Sequence, residues 1–357
     1  MQSGSKSLHG LRAVLSEART MRGFLCLLLL LCVATGSVQR QQAVPLKVRV
    51  AQGLIEGVFA IKPLYNLAAK GARKKIVAQA EAIGVEWEER TANYAANADK
   101  LEALKDKLSD SRITYPSYFL REFHAYKEGN MGWQCAYEVE SAAQSVHAAI
   151  YTPSRDILEK DGDAKLRAGF HRCMLEAFQK RQFKPKKVLD IGCSTGLSTL
   201  ALACTFPDAV ITGLDLSPYF LSVAQFDAQN AHTDKRISFV HGLAEATPLQ
   251  QGDADLYTAS LVAHELPASA TRAMIVEAFR VLPSGGAVAI MDMDPNSAAF
   301  QKVASNPFAF TAFKSTEPWL NEYIQVDLLA ELRNAGFVDV TIQNNSPRHR
   351  TCTAFKP

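Results

Sequence analysis

The stretch Lys187-Val-Leu-Asp-Ile191, followed directly by Gly192-Cys-Ser-Thr-Gly196, decides the fold class of this chain. The first five residues form a short apolar run that contains a carboxylate near its end, which favours a buried strand. The two glycines favour a tight turn, and residues 197–206 place apolar side chains on one face of a helix. A strand, a glycine turn and a helix together predict the first unit of a doubly wound α/β sheet.

A second strand is predicted at residues 209–214, and it leads into Asp215. Asp215 follows Gly196 by 19 residues. An acidic residue about 20 residues beyond a glycine turn, at the carboxyl end of the second strand, can accept hydrogen bonds from both ribose hydroxyls of a nucleoside. Ser217-Pro218 then favours the start of another helix. The two strands therefore predict a nucleoside-binding edge.

Three chemistries could use this glycine turn. A dinucleotide site favours G-x-G-x-x-G, but Ser194 and Leu197 stand at its second and third glycine positions. The turn also matches the G-x-S-x-G elbow of serine hydrolases, with Ser194 as nucleophile and His349 in the expected chain order. Upstream of Lys186 we predict helices and find no oxyanion-hole stretch, so a hydrolase is the third alternative. The remaining chemistry is the binding of S-adenosylmethionine.

Several motifs resemble those of class I S-adenosylmethionine-dependent methyltransferases. Val188-Leu-Asp-Ile-Gly-Cys-Ser-Thr-Gly196 is similar to their first motif, and Arg280-Val-Leu-Pro-Ser-Gly-Gly286 is similar to the turn before their fifth strand. Other stretches resemble their third strand, fourth strand and closing antiparallel hairpin, in that chain order: 237–249, 253–267, 337–342 and 351–356. The resemblance covers about 170 of the 357 residues. Its nearest type is the methyltransferase domain of ubiquinone and menaquinone biosynthesis.

Two further blocks, 122–133 and 345–350, resemble a plant, algal and protist branch of that superfamily. The resemblance implies a Rossmann-like, doubly wound α/β sheet of seven strands with an antiparallel last strand. The helical pattern of the upstream residues predicts an N-terminal helical extension before the sheet. We expect the methyltransferase domain at residues 160–357 and the extension at 51–159.

The resemblance implies S-adenosylmethionine as the cofactor and assigns roles to individual residues. Asp190 would face the methionine moiety, the glycines would let the backbone approach the cofactor, and Asp215 would accept the ribose hydroxyls. Relatives carry an Asp for the adenine amino group where this chain has Leu243, so Ala244 or Glu245 is expected to supply that contact. The expected cofactor-binding residues are Asp190, Gly192, Ser194, Gly196, Asp215, Leu216, Ala244 and Glu245.

Catalysis requires in-line transfer of a methyl group from a sulfonium, for which positioning and exclusion of water supply most of the acceleration. A base is needed only for a weakly acidic acceptor such as a phenol or enol. His264 and Glu265 follow the predicted fourth strand, where the methyl group should emerge. His124, in the aromatic block 115–134, is a further candidate, because this block can form a lid or seal two domains together. Asp292 and Asp294 could line the site or cap the next element.

The expected methyl acceptor is a small, hydrophobic or phenolic molecule that is methylated on oxygen or carbon. Enzymes that methylate an amide or the amino group of a base carry N/D-P-P-Y/F after the fourth strand, where this chain has Ala259-Ser-Leu-Val-Ala-His264. The net charge of +3 and the lack of a basic run interleaved with aromatics indicate no nucleic-acid partner. No cysteine pair has zinc-ligand spacing, so we expect no metal. The alternative is a catalytically inactive S-adenosylmethionine-binding protein whose extension docks a partner.

Residues 1–50 differ from the rest of the chain. An apolar run at 24–34 has the length of the hydrophobic region of a signal peptide, and a stretch with basic but no acidic residues follows it. This pattern resembles the two-part plastid address of algae with complex plastids, and secretion into the endomembrane system is the alternative. The segment carries seven basic residues and one acidic residue, so without it the net charge would be near −3.

Residues 54–110 are predicted to be helical. Leu64, Leu67 and Ala68 begin an apolar stripe at three- and four-residue steps, and lysines and arginines occupy the other sides. A basic amphipathic helix at residues 60–80 can lie on an anionic membrane surface or pack on a neighbouring domain. A second helix with charges of both signs is predicted at 95–108.

Overall fold

The computed structural model describes residues 73–357 apart from 125, 153–156, 232–234, 307–309, 311–312 and 315. The predicted targeting segment at 1–50 and the amphipathic residues 60–72 lie outside the described residues. Residues 73–82 form a helix, so the end of the predicted amphipathic helix is described. Within the part of the chain that the structure describes, no helix is both long and apolar enough to span a bilayer.

After the helix at 73–82, the described part of the extension contains three further helices, α1 (Trp87–Ala96), α2 (Ala98–Leu108) and α3 (Trp133–His147). Helix α2 confirms the helix predicted at 95–108, but it begins three residues later because the chain bends at Asn97, where α1 has just ended. Asn97 has φ −109° and ψ 22°, outside the helical range. The bend lets both helices contact the same neighbouring helix of the sheet domain.

The sheet domain follows the predicted alternation of helices and strands. Its elements are α4 (Gly162–Gln179), β1 (Lys187–Ile191), α5 (Leu197–Thr205), β2 (Val210–Asp215), α6 (Pro218–Asn230), β3 (Ile237–His241), β4 (Leu256–Ser260), α7 (Ala268–Val281), β5 (Ala287–Met293), α8 (Ala298–Ala304), α9 (Leu320–Tyr323), α10 (Leu328–Asn334), β6 (Val338–Asn344) and β7 (His349–Phe355). A short 3₁₀ turn, Ala263–Glu265, follows β4.

The seven strands form one sheet with the order β3-β2-β1-β4-β5-β7-β6. The first five strands of the chain pair in parallel, and β7 pairs antiparallel with both β5 and β6. This sheet confirms the predicted doubly wound fold with an antiparallel last strand. The strand order reverses beside β1, so a crevice opens at the carboxyl ends of β1 and β4, which is the usual ligand site of such sheets.

Both faces of the sheet are buried. Alternate residues of β1 point to opposite faces: Leu189 and Ile191 belong to one apolar cluster and Val188 to the other. The central strands are mostly apolar because helices cover them on both sides, although Asp190 in β1 and Thr258 in β4 are buried polar residues. The rigid sheet therefore holds its carboxyl ends, and the loops that follow them, in fixed positions.

The extension packs on α6. The Ser222 hydroxyl donates a 2.5 Å hydrogen bond to the carbonyl of Leu101, and the Tyr94 hydroxyl donates at 2.7 Å to the carboxylate of Asp227. Tyr94, Leu101 and Phe226 also belong to one buried apolar cluster. The helices α1 and α2 are therefore anchored on the sheet domain beside the predicted cofactor edge.

Candidate active site

The turn after β1 has a strained backbone. Gly192, Ser194 and Gly196 have φ values of +62°, +50° and +88°, a region that favours glycine. A Cβ atom at Gly196 would lie 3.1 Å from the ring of Phe239, so this residue is glycine because of its backbone conformation and the core beneath it. Its predicted contact with the cofactor stays a prediction. Ser194 adopts positive φ without being glycine, as residues at functional turns often do.

The carboxylate of Asp215 is fixed at the end of β2. Its Oδ2 accepts a hydrogen bond from the backbone N–H of Ser194 at 2.8 Å, and its Oδ1 accepts from the N–H of Ser217 at 2.8 Å. Burial raises the pKa of Asp215 to about 6, although these two N–H groups lower it. Each carboxylate oxygen can accept more than one hydrogen bond. Asp215 can therefore receive two further hydroxyl donors, as a ribose would supply.

Asp190 is only 1% exposed and lies below the turn. Its Oδ2 accepts hydrogen bonds from the hydroxyls of Ser198 at 2.6 Å and Thr199 at 2.7 Å, and its Oδ1 accepts from Thr258 at 3.3 Å. These contacts tie the first turn of α5 to β1 and β4. The structure thus gives Asp190 a role in holding the turn, and its contact with a methionine moiety stays a prediction.

The adenine side of the predicted site is walled by residues of β3 and the extension. His241, beside Asp215 in the sheet register, accepts a hydrogen bond at Nδ1 from the N–H of Asp110 at 2.9 Å. Its Nε2 lies 3.0 Å from the carbonyl oxygen of Leu216 and 3.2 Å from the hydroxyl of Tyr115. The side chain of Leu216 is buried here, and its contact with an adenine ring stays a prediction.

Glu245 lies in the loop after β3. The hydroxyl of Tyr118 donates a 2.5 Å hydrogen bond to its Oε1, whereas its Oε2 is buried without a partner among the described residues. The carbonyl of Ala244 accepts from the hydroxyl of Tyr257 at 3.1 Å. The Ala244 carbonyl is therefore already engaged, and the Oε2 atom of Glu245 is the better candidate for an amino group of the cofactor.

His264 and Asp292 form a buried pair above the carboxyl ends of β4 and β5. The Nδ1 atom of His264 lies 2.8 Å from Asp292 Oδ1, and its backbone N–H donates to Asp292 Oδ2 at 3.1 Å. Burial alone lowers the pKa of His264, but the Asp292 carboxylate outweighs this effect and raises the pKa to about 10. Asp292 is wholly buried, and its own pKa is lowered by the charge of His264, against the effect of burial. His264 is therefore held as an imidazolium at neutral pH.

Glu265 is the neighbour of this pair and is partly buried. Burial raises its pKa to about 7, while the His124 and His264 rings lower it and the Glu317 carboxylate raises it. The charges of His124, His264 and Glu265 thus act on one another. The structure brings together the three residues that the sequence named as catalytic candidates, although they come from segments about 140 residues apart.

His124 lies in the aromatic block and has φ +49°. Its Nε2 is 2.8 Å from Glu317 Oε1, and its backbone N–H donates to the carbonyl of Thr316 at 3.2 Å. Burial alone lowers the pKa of His124, but the charge of Glu317 raises it above its ordinary value. No local motif marks Glu317, and sequence reasoning missed it; only its acidic side chain in the segment after β5 could have suggested a role.

Two segments meet over this cluster, one from the aromatic block and one from the chain after β5. The rings of Tyr118 and Trp319 pack edge to face with centroids 6.4 Å apart, and the guanidinium of Arg121 lies 5.1 Å from the Trp319 ring centroid. Together with the His124–Glu317 pair, these contacts join the segments. We call residues 115–124 and 316–323 the cover.

The serine hydrolase alternative has no support in the geometry. The Oγ atom of Ser194 is buried and has no hydrogen-bond partner among the described residues, so no base is in place to activate it. His349 instead contacts the hydroxyl of Ser346 at 2.8 Å. Burial lowers the pKa of His349 to about 3, which makes it a weak base. The Ser194 hydroxyl remains free for a ligand at the turn.

The residues present fit S-adenosylmethionine. Three polar groups lie along the edge where the cofactor would be bound. They are a buried hydroxyl without a partner at Ser194 in the glycine turn, a fixed carboxylate at Asp215 for the ribose, and a half-satisfied carboxylate at Glu245 for the adenine. The three groups are acceptors, or in the case of Ser194 also a donor, for the polar groups of a nucleoside. Among the described residues, no group of three His, Cys, Asp or Glu side chains is placed to hold a metal ion.

Residues 188–286 match a family model described as a methyltransferase domain. An uncharacterized methyltransferase of Synechocystis is 33% identical over 158 residues, which are 43% of this chain and 68% of that protein. A ubiquinone/menaquinone biosynthesis C-methyltransferase of Methylobacterium nodulans is 32% identical over 123 residues, which are 33% of this chain and about half (48%) of that protein. The solved structure of human N-acetylserotonin methyltransferase with S-adenosylmethionine shares 17% identity, with a TM-score of 0.45 over 75% of this chain and 66% of that chain.

Proposed function

Because the chain belongs to the class I S-adenosylmethionine-dependent methyltransferases, we propose that it methylates an oxygen or carbon atom of a small hydrophobic acceptor of the phenol or quinol class. The observation that carries the proposal is the His264–Asp292 pair beside Glu265 at the carboxyl ends of β4 and β5. These groups can bind and deprotonate a weakly acidic hydroxyl. An acceptor that is already a strong nucleophile would need no such groups.

S-adenosylmethionine, when bound, supplies a methyl group that is already activated on a sulfonium. The protein must then position the acceptor, exclude water and remove a proton from it. Positioning and exclusion of water are assigned to the cover, whose aromatic side chains Tyr118, Phe119 and Trp319 suit a flat, apolar acceptor. The Methylobacterium relative is named as a C-methyltransferase of quinone biosynthesis, which supports an acceptor of the same class.

The acid–base roles follow from the two pKa values. The Nε2 atom of His264 has no hydrogen-bond partner among the described residues, and as an imidazolium it can donate to the acceptor oxygen. This hydrogen bond stabilises the oxygen as an anion. Glu265, with a pKa of about 7, is poised to take the proton from the acceptor hydroxyl at neutral pH. His124 is assigned to the cover, where it holds Glu317.

Transfer of a radioactive methyl group from S-adenosylmethionine to a panel of phenols and hydroquinones tests this proposal. We expect labelled acceptor with the wild-type protein and a decrease in kcat of about 100-fold or more in His264→Gln, with cofactor affinity unchanged by calorimetry. Equal rates in the wild type and His264→Gln would contradict the assigned role. Cofactor binding without transfer to any acceptor would favour an inactive binding protein.

We also propose that residues 1–50 direct the protein to a plastid. The support is the apolar run at 24–34 and the absence of acidic residues between Ser37 and Gly53. A fluorescent protein fused behind residues 1–50 should accumulate in the plastid of an alga with complex plastids. Fluorescence confined to the endomembrane system would contradict the proposal, and the fusion that begins at Met21 tests whether the first 20 residues are needed.

A further inference from the structure

The carboxylate of Glu317 is only half satisfied. Its side chain is 8% exposed, and its Oε1 is 2.8 Å from His124 Nε2. Its Oε2 is buried and has no hydrogen-bond partner among the described residues. A buried acceptor without a partner costs stability, and a native protein retains one mainly where a ligand or water completes it. Glu317 therefore has an oxygen available for a donor from outside the chain.

This oxygen belongs to the same cluster as the acid–base groups. The charge of Glu317 acts on both His264 and Glu265, besides its direct contact with His124. Thr316, directly before Glu317, and Trp319, two residues after it, contact the other segment of the cover. The Glu317 side chain thus lies where the cover meets the residues assigned to the acceptor hydroxyl.

We propose that Glu317 Oε2 accepts a hydrogen bond from a second hydroxyl of the methyl acceptor, so that the enzyme prefers dihydroxy aromatics to monophenols. The inference rests on the proposed function and narrows its acceptor class. One hydroxyl would meet His264 and Glu265, and the other would meet Glu317. A binding site with a polar group that pairs with a substrate hydroxyl strongly disfavours an analogue that lacks this hydroxyl, because the polar group of the site is then left unpaired.

A hydroxyl suits this position better than an ammonium group. The Glu317 carboxylate already has a positive partner, since its charge raises the pKa of His124. The His264 imidazolium is a second positive charge in the cluster. An added ammonium would be repelled by both rings, whereas a neutral hydroxyl satisfies Oε2 without adding charge.

The test compares three acceptors that share one ring: a dihydroxy compound, the monophenol that lacks its second hydroxyl, and the (aminomethyl)phenol that carries a charged ammonium group in its place. For the wild type we expect kcat/KM for the dihydroxy compound to exceed that for the monophenol by about 100-fold or more. In Glu317→Leu this ratio should fall below about 5-fold, and the ratio is the decisive readout because loss of the carboxylate also removes a charge that acts on His264 and Glu265. Glu317→Gln, which keeps the shape and can still accept from His124, should give an intermediate ratio.

The control is Glu331→Leu, which removes a carboxylate that pairs with Arg272 at the surface. It should keep the wild-type ratio. The inference is overturned if Glu317→Leu lowers kcat/KM for both acceptors equally, since Glu317 would then only position His124. It is also overturned if the wild type prefers the (aminomethyl)phenol or shows no preference.

Calorimetry of the same acceptors with protein loaded with S-adenosylhomocysteine separates this inference from the proposed function. Tighter binding of the dihydroxy compound to the wild type, lost in Glu317→Leu, supports the inference even if no methyl transfer is seen. Methyl transfer with equal binding of the dihydroxy compound and the monophenol overturns the inference and leaves the proposed function intact.

Discussion

At the scale of single residues, the pKa of Glu265 is the property on which the acid–base mechanism depends. Its ordinary value is 4.5, and burial raises it to about 7 despite two neighbouring imidazole rings. A carboxylate of this kind is a stronger base than a solvent-exposed one and is still half ionised near neutral pH. Perturbed carboxyl groups concentrate at active sites, which supports the assignment of Glu265 as the base.

We expect kcat to rise with pH through about 7, because Glu265 must lose its proton before it can accept one from the acceptor. Glu265→Gln should lower kcat by about 100-fold and remove this limb of the pH profile. The measurement is the rate under saturating substrates between pH 5.5 and 9. A limb near pH 7 that persists in Glu265→Gln would show that another group titrates there.

At the scale of elements, the turn between β1 and α5 is determined by its backbone and by the core below it. Gly196 and Gly252 have almost the same φ, +88° and +85°, but only at Gly196 would a Cβ meet other atoms, Phe239 at 3.1 Å and Ala224 at 3.3 Å. Comparing alanine substitutions at these two glycines therefore distinguishes the cost of backbone strain from the cost of overpacking the core.

Gly252→Ala should lower the free energy of unfolding by about 1 kcal/mol, since only backbone strain is added. Gly196→Ala should lower it by about 1–3 kcal/mol more, because the added methyl group overpacks the core. Urea denaturation of both variants and the wild type measures the difference. Equal losses in the two variants would contradict the packing explanation of the turn.

The cover also acts on the cofactor edge through Tyr118, whose hydroxyl donates to Glu245. Tyr118→Phe should weaken the binding of S-adenosylmethionine by about 3- to 10-fold, the effect of losing one hydrogen bond to a charged group. Tyr137→Phe is the matched control, since Tyr137 stacks on Tyr94 and its hydroxyl has no hydrogen-bond partner among the described residues. Equal cofactor affinities in the two variants would contradict a contribution of the Tyr118 hydroxyl to cofactor binding.

At the scale of the whole molecule, the sheet could be predicted because its signals are local. Each parallel strand is a short apolar run that ends at a turn, and the order of the motifs then determines the topology. The extension was predicted only roughly: a helix with charges of both signs was predicted at 95–108, but the bend at Asn97 depends on how α1 and α2 fit against α6.

The site was predictable only in part for the same reason. Asp215, His264 and Glu265 follow strands, so their place at one edge of the sheet could be inferred from the strand pattern. Glu317 is 193 residues from its partner His124, and the Tyr118–Glu245 contact joins segments 127 residues apart. Such pairs depend on how the cover folds over the sheet, which a single sequence does not indicate.

The central claim is that this edge binds S-adenosylmethionine through Asp215, and calorimetry tests it most directly. We predict that the wild type binds the cofactor and that Asp215→Asn loses at least about 10-fold in affinity, because a charged acceptor of two hydroxyl hydrogen bonds is removed. Asp208→Asn, at an exposed position before β2, should bind as the wild type does. No binding by the wild type, or equal affinity in Asp215→Asn, would contradict the claim.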